Sequence, residues 1–168
     1  NLSVVAALSQ TSGRGQRGNV WLSESGQNLT FSIVLKFPVN VMAGELEPMH
    51  AYDQFVLSEI AALSVVDMLA EHDIQAKIKW PNDILINKKK ICGILTESSI
   101  NQFGVQYLVV GIGINVNQME FSEEIKYKAS SIQLESQKEV SCEQLIGEVM
   151  NCMEQQVEQF VTTGDLSE

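Results

Sequence analysis

Residues 28–37, NLTFSIVLKF, alternate without a break: Phe31, Ile33, Leu35 and Phe37 fall on one side, and Thr30, Ser32, Val34 and Lys36 on the other. A period of two belongs to a strand with one face on a core and the other left open. Such a strand needs a layer over its apolar face, and the rest of the chain supplies candidates. The run LSVVAAL (Leu2 to Leu8) is β-branched and reads as a strand, and IQAKIKW alternates with Ile74, Ala76, Ile78 and Trp80 opposite Lys77 and Lys79. Pro81 ends that strand, since proline cannot donate to a ladder and holds Trp80 extended. DILINKKKICGILTES reads as a hairpin with an Asn-Lys-Lys tip, and VQYLVVGIGINVN as a buried strand running into glycines.

Two segments change period. From Met49 to Asp73, three- and four-residue steps link Tyr52, Val56, Ile60, Leu63, Val66 and Ala70, which predicts an amphipathic helix. Ser141 with Gln144 forms a capping box that starts a second helix along Leu145, Val149, Met153, Val157 and Phe160, closed near Gly164. The stretch between, FSEEIKYKASSIQLES, reads as irregular. Hairpin-linked strands with two long helices predict an α+β fold: a mixed, mostly antiparallel sheet with helices packed on one side.

Charge narrows the function. The net charge of −10 disfavours nucleic acid as a partner. Residues 10–18 and 77–90 nevertheless hold seven of the eleven Lys and Arg and one acid, Asp83, so a small anionic ligand is expected there. No stretch has the length and apolarity of a membrane span, and a cytoplasmic location is expected. Cys92, Cys142 and Cys152 lack the spacing of a disulfide framework or a zinc site, and His50 and His72 read as surface residues.

The loop SGRGQRGNVW contains G-x-G-x-x-G at Gly13, Gly15 and Gly18. A dinucleotide fingerprint requires a helix directly after the glycines, to hold pyrophosphate at its N-terminus. Asn19, Val20, Ser23, Ser25 and Gly26 are poor helix material, and the G-K-[ST] ending of a phosphate loop is absent. What remains is a loop whose backbone can approach a ligand closely and whose Arg14 and Arg17 stay charged at any working pH. An ordinary strand connection with solvated arginines would look the same. Asp83 follows a proline-stopped strand, Lys90 heads the second arm of the hairpin, and simple alternation puts Gly93 and Leu95 on the face opposite to it. Asn115 follows Gly111 and Gly113, and its amide can both donate and accept. Turn capping by Asp83 and Asn115, and a bulge at Gly93, are the ordinary alternatives.

Together, GRGQRG with Trp21, KWPNDI with KICGIL, and GIGINVN resemble the biotin–protein ligases, in that family's order and over essentially the whole chain. The resemblance implies a catalytic domain of the biotin/lipoate ligase type, related in fold to class II aminoacyl-tRNA synthetases and spanning 1–168 as one domain. It would lack the family's first N-terminal segment, which carries Ser-Thr-Asn, and its C-terminal β-barrel. The implied activity uses ATP and biotin, with Mg²⁺, to make biotinyl-5′-AMP and passes biotin to a lysine of a biotin carboxyl carrier domain. A non-catalytic biotin or adenylate binder, and a lipoate or octanoate ligase, are the alternatives.

By position the resemblance assigns catalysis to Lys90, Asp83 and Arg14. It assigns biotin to Gln10, Gly13, Arg14, Gly15, Gln16, Lys90, Gly93 and Leu95. ATP falls to Arg17, Trp21, Asp83, Lys90, Ile114 and Asn115. No dedicated metal site is implied, with Mg²⁺ expected near Asp83. Gln16 stands where the family often has a second arginine. Pairing of two copies through sheet edges is the implied assembly.

Overall fold

The computed structural model describes residues 2–36, 53–102, 104–164 and 166. Six strands form one antiparallel sheet: β1 (Leu2–Ala7), β2 (Leu29–Lys36), β3 (Lys77–Lys79), β4 (Asp83–Ile86), β5 (Lys89–Asn101) and β6 (Gly104–Ile114). Their spatial order is β1-β2-β6-β5-β4-β3, so β2 and β6 are neighbours although most of the chain lies between them. Helices α1 (Asp53–Glu71) and α3 (Cys142–Thr163) pack against one another and against one face of the sheet. The α+β reading holds, with every strand pairing antiparallel and one parallel bridge, Lys90 to Ala129, outside the strands. Among the described residues, no helix is long and apolar enough to cross a membrane.

The alternation of β2 is realised as written: Leu29, Phe31 and Ile33 are buried, with Thr30, Ser32 and Val34 on the other face. In register, Phe31 faces Ile112 and Ile112 faces Ile94, while Leu29, Ile114 and Cys92 make the next buried row. These rows lie under the helices and form the core. Phe37 and the segment Met49 to Tyr52 of the sequence-predicted helix lie outside the described residues, as does His50. β1 is an edge strand exposed along its whole length, and β3 is an exposed edge at the other side.

The helices differ from expectation in which face is inward. In α1 the buried residues are Ile60, Ala61, Ala62, Ser64, Val65, Met68 and Leu69, while Ala70 is exposed and Val56, Leu63 and Val66 are half-buried. The helix is apolar over most of its circumference, so its composition leaves the rotation open and the partners decide it. Ser64 is tolerated in the core because its hydroxyl donates to the Ile60 carbonyl at 2.6 Å. In α3 the expected face holds through Leu145, Val149 and Met153, after which Gln156 is buried and Val157 is 38% exposed. Gln156 donates to Asp67 Oδ2 of α1 at 2.7 Å, and His72 Nε2 meets Glu148 Oε2 at 2.7 Å. His72 is thus an interhelical residue and not a free surface histidine.

Both predicted caps of α3 are present: the Ser141 hydroxyl accepts from the Gln144 N–H, and Gly164 ends the helix at φ 73°. A short helix, α2 (Ile132–Ser136), capped by Ser131, occupies part of the stretch read as irregular.

Two consequences can be measured. Leu69→Ala, which empties a fully buried site, is expected to cost about 2–5 kcal/mol in urea unfolding, whereas Ala70→Ser stays within about 0.5 kcal/mol. The reverse order would show that α1 is rotated from the orientation described. Burial pushes the thiols of Cys92 and Cys152 up from the ordinary value of 9.0, Cys152 to about 11 with help from Glu71, Asp67 and Glu148. Each thiol holds its proton more tightly when folded; for Cys152 this contribution to stability is full below about pH 9 and is lost as pH rises through about 11, and for Cys92 the loss comes at still higher pH. Native protein at pH 8 should therefore resist alkylation at Cys92 and Cys152 and become labelled only on unfolding.

Candidate functional site

The sheet face away from the helices carries the site, and the strand register builds it row by row. Thr30, Gly113, Gly93 and Asp83 stand side by side across β2, β6, β5 and β4, with Lys79 of β3 beyond. The next row is Ser32, Gly111 and Leu95, and the one after it Val34, Val109 and Glu97. Glycines at the middle of the first two rows leave a hollow.

Trp21 lies in that hollow. A Cβ on Gly113 would stand 2.6 Å from Trp21 Cε2, and one on Gly93 would stand 3.2 Å from its Cζ3, so the ring rests directly on backbone. The Trp21 Nε1 and Thr30 Oγ1 atoms are buried and have no hydrogen-bond partner among the described residues. Buried polar groups ordinarily find partners, so these two stand out on this face.

Lys90 reaches the same side by a β-bulge. Leu85 pairs with Lys90 and Ile84 with Cys92, so Ile91 is the extra residue. The bulge sends Ile91 and Cys92 together into the core, both fully buried, and returns Lys90 to the open face beside Gly93 and Leu95. This corrects the simple alternation, which put Lys90 opposite them. The Lys90 backbone is clamped on its other edge, its N–H donating to the Lys128 carbonyl at 2.6 Å and its carbonyl accepting from Ser130 N–H at 2.9 Å. Its ammonium lies 2.6 Å from Asp83 Oδ1 and 5.5 Å from the Trp21 ring centre. Lys79 Nζ approaches Asp83 Oδ2 at 3.3 Å, so one carboxylate organises two ammonium groups and the cluster keeps a net charge of +1.

The glycine loop forms an arm over this face. Gly15 N–H donates to the Asn19 carbonyl at 2.7 Å and Trp21 N–H to the Gly13 carbonyl at 3.1 Å, with a one-turn 3-10 helix at Gln16–Gly18 between. The Trp21 carbonyl occupies the space a Cβ on Gly13 would need. Arg14 crosses to Glu97 of β5.

Of the residues singled out in the sequence, Gln10, Arg14, Gly15, Trp21, Lys90, Gly93 and Leu95 line one cleft. Gly13, Gln16 and Arg17 line an open groove along the arm, and Asp83 joins through its pair with Lys90. Ile114 is fully buried in the core, and Asn115 is buried with its amide donating to the Ser130 carbonyl at 2.9 Å; neither lines the cleft. Thr30, Ser32, Asn82 and Glu97 line it and were not anticipated. Thr30 and Ser32 are the polar side of the alternation that marked β2, and Glu97 shares the parity of Gly93 and Leu95.

Asp83 is poorly suited to hold a metal ion, because both its oxygens already face ammonium groups. Among the described residues, no group of three His, Cys, Asp or Glu could hold one. An Mg²⁺ at this site would have to arrive on a ligand's phosphates.

A model of the biotin/lipoate A/B protein ligase family matches residues 1–115. The chain is similar to the bifunctional ligase/repressor BirA of Bacillus spizizenii, 36% identical over 165 residues that cover 96% of this chain and 48% of that protein. It is also similar to the biotin–[acetyl-CoA-carboxylase] ligase of Paracoccus denitrificans, 38% identical over 67% of this chain and 43% of that one. The chain spans about half the length of these curated relatives. Among solved structures, a biotin protein ligase from Aquifex aeolicus in complex with biotin and ATP superposes with a TM-score of 0.75 at 32% identity, covering 95% of this chain and 62% of that chain.

The seating of Trp21 gives a direct test. In a Trp80→Phe background, Gly113→Ala should displace the ring and shift its emission to the red, since a Cβ there has no room. An unchanged spectrum would mean that the ring does not rest on Gly113.

Proposed function

The chain belongs to the biotin/lipoate A/B protein ligase family, and from that premise we propose that it activates biotin with ATP and transfers it to a lysine of a biotin carboxyl carrier domain. The observation that carries the proposal is Lys90, an ammonium held by Asp83 in a cleft lined by Trp21 and Arg14. In the first step an oxygen of the biotin carboxylate attacks the α-phosphorus of ATP and pyrophosphate leaves. Two anions must meet, and a fixed cation at their junction stabilises the charge that gathers there, with little reorganisation because its position is already set. In the second step the carrier amine attacks the acyl carbon and AMP leaves.

Trp21, seated in the hollow between Thr30, Gly113 and Gly93, offers its outer ring face to a flat ligand, adenine or the bicyclic head of biotin. Arg14 and Arg17 supply charge from the arm. Gln16 contributes hydrogen bonds but no charge, which weakens the hold on an adenylate relative to an arginine. Mg²⁺ carried on the triphosphate would supply charge neutralisation of its oxygens, with Lys90 and Arg14 as the protein's own cations beside it. The need for ATP agrees with a cytoplasmic setting, and the exposed edge β1 offers a surface for pairing with a second copy.

The test is to incubate the protein with biotin, ATP and Mg²⁺ and to follow pyrophosphate release and biotinyl-5′-AMP, then label transfer to an apo carrier domain. Lys90→Ala should slow adenylate formation by roughly 10²-fold or more, the usual order for loss of a transition-state charge contact. Adenylate formation at an unchanged rate in that variant would remove Lys90 from the chemistry. Adenylate that forms without any labelled carrier would contradict the transfer step.

A further inference from the structure

Glu97 is an acid on the wall of a cleft that otherwise gathers cations. Left uncompensated, a carboxylate there would repel the anions the cleft is suited to. Its charge is directed elsewhere: Arg14 Nη1 and Nη2 reach Glu97 Oε1 and Oε2 at 3.0 and 2.8 Å, a bidentate pair between residues 83 apart in sequence.

The arm's own hydrogen bonds, Gly15 to Asn19, Asn19 to Gln16 and Trp21 to Gly13, close it on itself and do not reach the sheet. At its end the arm is seated by Trp21 on Gly113. Further out, the Arg14–Glu97 pair is the polar contact, among the described residues, that ties it down on β5. The two side chains are 73% and 45% exposed, so the pair adds little to global stability. For one arm moving between two positions the scale is different, because an exposed pair of this kind biases a local equilibrium by up to about fivefold. Glu97 engages two of the five N–H donors of the guanidinium, which leaves the others for an anion in the cleft.

We propose that Glu97 is a positioning residue that holds the glycine arm over the cleft through Arg14 and so prolongs the residence of the acyl-adenylate. The second half of this statement rests on the function proposed above; the first half does not.

The experiment compares the full chain with its Glu97→Gln and Glu97→Asp variants by two readouts. The first needs no chemistry: limited trypsin cleavage after Arg14 and Arg17 in the absence of ligand. The Gln variant should be cut about three- to fivefold faster at low salt, with the Asp variant between. The difference should close near 1 M salt, where the screening length is about 3 Å. The second readout loads each protein with biotin, ATP and Mg²⁺, removes free ligand, and follows release of biotinyl-5′-AMP into solution, which should quicken by the same factor in the Gln variant. Equal cleavage of all three proteins overturns the proposal. Faster cleavage with unchanged release overturns the claim that the arm retains the adenylate. If the parent chain forms no adenylate, the proposed function fails, and the trypsin readout still decides whether Glu97 holds the arm.

Discussion

One extra residue in β5 decides the chemistry of the whole face. Ile91 and Cys92 are consecutive and apolar, between a lysine and a glycine, and both are fully buried. A regular strand would turn one of them to the open side and send Lys90 under the helices, where an unpaired ammonium is very costly. The bulge avoids both outcomes. On the edge away from β4, beyond the end of β6, residues 128–130 bond the N–H and the carbonyl of Lys90 and pin the strand there. Ser130 is in turn held by the Asn115 amide, so the end of β6 and the approach to α2 share in placing the lysine. Core packing, through two apolar side chains that must go inward together, thereby fixes a cation on the outer surface.

The rest of the face is arranged around that cation by register alone. Antiparallel pairing puts Thr30, Gly113, Gly93 and Asp83 in one line, so the acid that engages Lys90 and the glycines that make room for Trp21 come from four strands. Small residues there are a matter of space: a side chain on Gly113 would collide with the indole. The chain's net charge of −10 is thus compatible with an anion site, because seven of its basic residues are confined to the arm and to the segment that runs from β3 through β4 to the start of β5.

Features set by local rules were legible in the sequence. The alternation of β2, the proline stop after Trp80, the hairpin tip at Asn87 and Lys88, and the Ser141 and Gly164 caps each depend on a few adjacent residues. Features set by competition between distant segments were not. The inward face of α1 could not be read from a helix apolar on most sides, and Gln156 is buried because Asp67 lies opposite it on another helix. The side on which Lys90 emerges depends on a register shift that counting by twos cannot see. The burial of Asn115, and the bond from its amide N–H to the carbonyl of Ser130 fifteen residues away, depend on a contact that its chain neighbours do not announce.

The two cations that flank the cleft are both already paired, and the pairs differ in stiffness. Lys90 and Asp83 are 34% and 17% exposed and sit on strands, whereas Arg14 and Glu97 are 73% and 45% exposed and join a loop to a strand. A carboxylate that holds a cation in place lowers the ordering cost when an anion arrives, and it also competes with that anion for the same charge. Where the pair is half-buried and carried by two strands, ordering dominates, and Lys90 is held as part of the floor. Where it is exposed and one partner lies on a loop, exchange costs less, and Arg14 is the easier of the two cations to draw from its carboxylate. The reaction proposed above, whose intermediate must be enclosed and then delivered, would use the first pair as a fixed floor and the second as a cover that can lift.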